Sequence, residues 1–325
     1  MSQIAPSIAS QLFQPAASPS TAPEITPKVT TAAPAIAPAD LKAVDHHHHR
    51  EHPLTWRDLD PINFLGIGSM HLLAIAAPFT FSWSGMGIAL GLWWLCGGLG
   101  ICLCYHRLLT HRSFKTPRWF EYVLTTLGVL NWQGGPVQWV GMHRIHHKHS
   151  DGDHDPHSPK HGFNWAHILW CVTREPEGMD ARGAAKDLQR NPVTAWFDKY
   201  HYLPQFVLAA ALFAGGWAVG GWPLALSWVV WGVAVRVVFV YHATWFVNSA
   251  AHTWGYQSHD TGDGSKNNWW VAIISFGEGW HNNHHAHDRA AAHGRRWFEI
   301  DLTYYTIKAM SWVGLAWDIV PPKRA

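Results

Sequence analysis

Residues 61–81 are apolar apart from Asn63, His71 and small side chains, and residues 84–105 are apolar throughout. Each run reaches the ~20 residues an α-helix needs to cross a ~30 Å hydrocarbon layer. The link between them is too short to hold anything but a turn. A second pair of runs, 203–222 and 224–247, joins through Pro223. This pattern predicts an all-α integral membrane protein with four transmembrane helices in two hairpins. Two tight links force the segment before residue 61, residues 106–200 and everything after 247 onto one side. That side carries Arg107, Arg112, Lys115, Arg118, Arg144, Lys148, Arg182 and Lys186, so the positive-inside rule makes it cytoplasmic.

Other apolar stretches are broken. Residues 119–140 are interrupted by Asn131, Gln133, Gly134, Gly135, Pro136 and Gln138 and read as a helix at the membrane interface. A fifth crossing there would separate polar clusters that belong together. Residues 269–276 are too few to span, and the amphipathic run 297–312 is expected to lie along the surface. Arg236 falls mid-span, where an arginine costs ~2.5 to 3.5 kcal/mol, so it must face the bundle interior and find partners. Either an anchor near a substrate path or a structural donor satisfies that need. Residues 1–55 are rich in Ala, Pro, Ser and Thr and lack the pattern of a secretory signal; they are expected to be a disordered tail, with His46 to His49 and His52 solvated within it. The folded domain is then 56–325.

The remaining polar signal is histidine. His106 and His111 form HxxxxH, while His143, His146 and His147, and again His281, His284 and His285, form HxxHH. At about 100° per residue the second and third rings of HxxHH straddle the direction of the first, so all three are expected to reach one point. Eight imidazoles exceed what one tetrahedral zinc uses, and two metals are the natural count. Imidazole suits zinc, copper, iron or nickel; the donor set alone leaves that choice open.

Composition adds three limits. Many of the 22 tryptophans, among them Trp83, Trp93, Trp94, Trp217, Trp222 and Trp231, sit beside the apolar blocks, as interfacial aromatics do. Cys96, Cys102, Cys104 and Cys171 contain no CxxC and read as small buried hydrophobes. A net charge of +2, with no basic stripe, gives no reason to expect nucleic acid.

The boxes HRLLTH, HRIHH and GEGWHNNHH, with KHSDGDHDPHSPKHGF and the segment from Ala243 to Tyr256, resemble membrane Δ9 fatty acyl desaturases over about residues 60–315. His242 stands where that family usually has asparagine. The resemblance implies a cytosolic helical cap holding a di-iron site, with His106, His111, His143, His146, His147, His252, His281, His284 and His285 as ligands and Asn248 holding a water on one metal. It also implies dioxygen as co-substrate, and an acyl tunnel whose bend matches Gln133, Trp139 and Thr244, beside Trp245. Carboxylates such as Asp151, Asp155, Glu278 and Asp288 are candidates to orient the rings. Acyl-CoA members carry an Arg-Asp pair before box two and an Arg-Lys pair later. Here these read Gly141-Met142 and Arg174-Glu175, so Arg174 alone remains, which favours a lipid-esterified chain or another carrier over acyl-CoA.

Neither a haem signature nor a ferredoxin-like cysteine cluster occurs, so the electrons are expected from a separate protein, a ferredoxin or small haem cytochrome. A related hydroxylase or ketolase is the nearest alternative, and a membrane metal carrier a remote one.

Overall fold

The computed structural model describes residues 54–176 and 178–322. The expected tail, with His46 to His49 and His52, lies outside the described residues except for its last two positions. Among the described residues the fold is helical, with isolated bridges and no strand.

Helix α1, Pro61–Ala74, starts where Asp60 caps the Asn63 amide and proline takes the first position, the arrangement that supplies an acceptor to one free N–H and removes another. It ends earlier than the apolar run implies. The chain then makes a 3₁₀ turn over Ala77–Thr80 before Ser82 caps α2, Trp83–Leu92, through the Gly85 amide. From Trp93 to Thr110 this helix continues with widened, π-type turns. Trp83–Thr110 as a whole is 28 residues and long and apolar enough to cross a membrane.

Residues 203–253 form the second such stretch, and it is itself a hairpin. Helix Leu203–Val229 is broken inside at Gly220 and at Gly221, whose φ of 64° and ψ of −157° fit no helix. Around this break Gly216 lies against Ala225, Gly215 against the Trp228 ring and Gly232 against Leu212, the pairing of antiparallel limbs. The chain continues through a widened turn, Val230–Val235, into Arg236–Asn248 and the short Ala250–Thr253. The two hairpin turns meet: Ser82 and Ser227 hydroxyls are 2.7 Å apart, Trp228 Nε1 donates to Ser84 Oγ, and Trp231 Nε1 donates to the Ala77 carbonyl. The opposite ends of the limbs therefore carry His106, His111 and His252. Ile62, Leu65, Leu72, Phe79, Trp83, Val207 and Val219 point outward and are exposed, an apolar exterior that water disfavours and hydrocarbon does not.

The interrupted stretch 119–140 resolves into α3, Arg118–Val129, and α4, Pro136–His149, separated at the polar break. Arg236 explains how this pair is held. Its guanidinium is buried and donates to the carbonyls of Gly232 and Leu130, to Asn131 Oδ1 and to Gln205 Oε1. These acceptors are all structural, so of the two readings Arg236 is the buried donor that pins α3 to the long helices. The run 297–312 is helical only over Leu302–Trp312, because Asp301 caps Tyr304 and starts the helix there.

Candidate metal centre

Box one shows why its spacing differs from the others. On an ordinary helix, residues five apart point well away from each other, but i→i+5 bonding brings residue i+5 round above residue i. The widened turn, with His111 N bonded to the His106 carbonyl, sets the two rings 4.8 Å apart. Boxes two and three lie on α4 and on the short helix His281–Ala286.

Nine rings assemble into two adjacent groups. His106, His111, His143, His147 and His284 form one; His146, His252, His281 and His285 form the other. Within each group one ligand-capable atom per residue lies within 4.8 Å of the rest. The groups touch, with His147 and His285 ring centroids 4.6 Å apart. His252, absent from the three boxes, belongs to the second group.

The expectation that each HxxHH box converges on one point is wrong. Residues i and i+4 differ by 40° in direction and stay together, as His143 with His147 and His281 with His285 do. Residue i+3 lies 60° the other way and reaches the neighbouring group, as His146 and His284 do. Each HxxHH box therefore contributes to both groups.

The ring nitrogens fit a metal better than they fit one another. His284 Nε2 approaches His106 Nε2 at 3.1 Å and His147 Nε2 at 3.0 Å, and His147 Nε2 also approaches His143 Nε2 at 3.1 Å. In the second group His281 and His252 Nε2 are 3.0 Å apart. The buried Nε2 atoms of His111, His146 and His285 have no hydrogen-bond partner. An imidazole has one N–H to give, so lone pairs turned inward from several sides are compatible with a shared cation. Burial, reinforced by neighbouring rings, pushes His111, His143, His147, His281 and His284 well below the usual imidazole range. They are held neutral, the state that ligates.

Carboxylates take the outer nitrogens. His106 Nδ1 lies 2.7 Å from Glu278 Oε2, His146 Nδ1 3.0 Å from Asp155, His252 Nδ1 3.1 Å from Asp151 and His285 Nδ1 2.6 Å from Asp263. Burial would raise the carboxyls of Asp155 and Glu278, but the facing His146 in one case and Arg107 in the other hold them below the usual range. Asp288 is not among these partners: it is exposed and accepts from the Arg289 amide. Asp263 takes the role instead, a residue whose sequence context gave no sign of it. Two further buried imidazoles also went unnoticed. His157 stands 4.3 Å from His146 and His293 stands 4.3 Å from His284, the latter also 3.0 Å from Glu278. The Asn282 and Asn283 side chains inside box three bond Ser258, His259, Asn267, His293 and Glu299, fastening the helix to the flanking loops.

Gln133, Trp139 and Thr244 come together. Gln133 Nε2 donates to Thr244 Oγ1 at 3.0 Å, Trp139 Nε1 donates to Gln133 Oε1 at 3.2 Å, and the Trp139 ring stacks on His143. Trp245 is buried and stacks on Tyr241 and His71. Arg174 stands apart from that cluster. Its amide and guanidinium bond the Asp58 and Leu59 carbonyls, and it lines a cavity of about 870 Å³ with Arg57, Lys160, Glu175 and, in its wall, Asp155. Asn248 is 9% exposed and lies four residues before His252.

The fatty acid desaturase pattern matches residues 81–311. The chain is 49% identical to the sn-1 stearoyl-lipid 9-desaturase of Anabaena variabilis, over 79% of this chain and 93% of that one. It is 47% identical to the sn-2 palmitoyl-lipid 9-desaturase of Nostoc sp. strain 36, over 81% and 92%. With the sn-1 stearoyl-lipid 9-desaturase of Synechocystis sp. it shares 48%, over 79% of each chain. Matched over most of its length by family and relatives alike, and carrying the histidine groups described, the chain belongs to the fatty acid desaturase family and is an enzyme.

Proposed function

We propose that residues 56–325 form one membrane desaturase domain that introduces a cis double bond, at Δ9, into a saturated acyl chain esterified to a membrane lipid. It uses dioxygen and two electrons from an external protein such as a ferredoxin or small haem cytochrome. The observation that carries this reading is the pair of adjacent imidazole groups, five rings and four, with inward nitrogens that nothing in the protein satisfies. Two irons held there would supply the redox chemistry needed to take hydrogen from unactivated methylenes, which zinc lacks. The second group is one donor short of the first, and Asn248, near His252, is the residue we assign to hold a water there.

The protein's own part is positioning. Asp151, Asp155, Asp263 and Glu278 hold the outer nitrogens of four rings and so aim the inner ones. Gln133, Trp139 and Thr244 form a bonded knot beside His143 that sets where an acyl chain turns. The rim around Arg174 is the mouth for its polar end. Gly141 supports a lipid carrier over CoA: a Cβ built there falls 1.7 Å from the Ala181 carbonyl oxygen, so no arginine fits where acyl-CoA members carry one. The three relatives described above carry lipid names, while two others, 43% and 41% identical, are named acyl-CoA desaturases. Four apolar limbs with both hairpin turns at one end support four crossings with the histidine groups at the other, cytoplasmic, face.

Gas chromatography with double-bond location, on lipids from a host lacking its own desaturase, tests this directly. A cis-Δ9 monoene in membrane lipids is expected. A hydroxy acid without an alkene moves the assignment to a hydroxylase.

A further inference from the structure

The five-ring group comes close to the protein surface at one small opening. A cavity of about 430 Å³ has His111 and His147 among its lining residues, with Thr110, Arg112, Arg144, Arg289 and Asp288 around them. It lies apart from the larger opening near Arg174 and shares no lining residue with it. No aliphatic or aromatic hydrocarbon side chain lines it, so it is poorly suited to an acyl chain. Arg112 and Arg144 converge on Asp187, with Arg112 Nη2 2.8 Å and Arg144 Nη1 2.6 Å from its carboxylate. Arg144 is tied further to the Ala184 and Leu109 carbonyls. Three guanidiniums against Asp288 in the lining and Asp187 behind it leave the mouth positive.

We propose that this mouth is where a small acidic one-electron carrier protein docks and passes electrons through His111 and His147. The proposal rests on the desaturase reading above. Desaturation of one acyl chain with one dioxygen needs two electrons and two protons. The chain gives up two hydrogens, forming the alkene, and both oxygens leave as water, so the carrier is oxidised twice per turnover. Electron transfer weakens steeply with distance, which favours a contact at the opening that His111 and His147 line. Arg144 and Asp187 fix the floor of the mouth, whereas Arg289 is exposed and steers the approach. Charge around such a rim acts mainly on encounter rate and salt dependence.

The test uses the iron-loaded full chain in nanodiscs and an acidic [2Fe–2S] carrier protein as probe, with binding read by surface plasmon resonance at low and physiological ionic strength. Arg289→Glu is expected to weaken binding roughly tenfold at low salt. Asp288→Lys, which cannot gain affinity by misfolding, is expected to tighten it several-fold. Both differences shrink at higher salt as screening sets in. The ratio of donor-driven turnover to turnover driven by a photoreduced uncharged flavin follows the same order. Unchanged binding in both variants overturns the proposal, as does a loss produced instead by Lys160→Glu at the other opening, or competition by inorganic phosphate alone with no carrier bound. A wild-type protein that forms no alkene even with the flavin contradicts the desaturase reading, and the binding result stands separately.

Discussion

Asp263→Asn replaces one carboxylate oxygen by an NH₂ group and is expected to silence a ligand. Oδ1 of Asp263 accepts from Thr261 Oγ1 at 2.6 Å, the Ser265 amide at 3.0 Å and Ser265 Oγ at 2.5 Å, while Oδ2 faces His285 Nδ1 at 2.6 Å. An asparagine there must keep its carbonyl oxygen towards the three donors, because an NH₂ group would oppose all of them. Its NH₂ then points at His285 Nδ1, which becomes an acceptor. The proton moves to Nε2, the atom turned into the second group, and the ring no longer ligates. Loss of such an outer partner costs ~10- to 100-fold in metal affinity, or about 1.4 to 2.7 kcal/mol. Titrating purified protein with an iron chelator should show one iron released at correspondingly lower chelator concentration and the other unmoved. Asp288→Asn, at an exposed carboxylate, should release iron as the wild type does. Equal chelator resistance of both irons in Asp263→Asn would refute the tautomer argument.

Other substitutions separate the parts of the site. His284→Ala should abolish activity and remove iron from the five-ring group, and His281→Ala from the four-ring group, with membrane insertion intact; X-ray absorption of the residual iron distinguishes them. Trp139→Ala removes the ring stacked on His143 and the bond to Gln133, so product chain length or double-bond position should broaden before total turnover falls. Gly141→Arg should destabilise the protein by ~1 to 3 kcal/mol through overpacking against Ala181 without conferring acyl-CoA activity; a stable variant that gains it contradicts the carrier assignment. Acid should destabilise the metal-free protein. His143, His147, His281 and His284 have folded pKa values below the unfolded one, so the unfolded chain binds more protons as pH drops below about 6.5, and each ring removes up to about 1.4 kcal/mol per pH unit. A melting temperature of metal-free protein that stays flat from pH 7.5 to 5.5 contradicts this.

The hairpins were legible because apolar runs and turn residues are local signals: Pro223 marks the second reversal, although the break itself falls just before it, at Gly220 and Gly221. The histidine boxes were legible as a set, and the helical step of about 100° already parts His146 from His143 and His147; that His146 joins His252 was not legible, because the partner comes from a distant helix. His252 and Asn248 emerged only through family resemblance. Asp263 was missed for a physical reason: its carboxylate belongs to a turn closed by Thr261 and Ser265, which on sequence alone is an ordinary polar loop. Asp288 is three residues beyond His285 in sequence but not beside it in space, because the chain leaves the helix at His287 and carries it to the surface. Gly141 read as a missing charge; only the Ala181 carbonyl against it gives the reason.

The central claim is that nine imidazoles, drawn from three boxes and His252, hold two redox-active ions side by side. Anomalous diffraction at the iron edge on crystals of the purified protein tests it most directly. The account predicts two iron peaks, one among His106, His111, His143, His147 and His284 and the other among His146, His252, His281 and His285. A single peak, zinc at both positions in fully active protein, or iron bound elsewhere would contradict it.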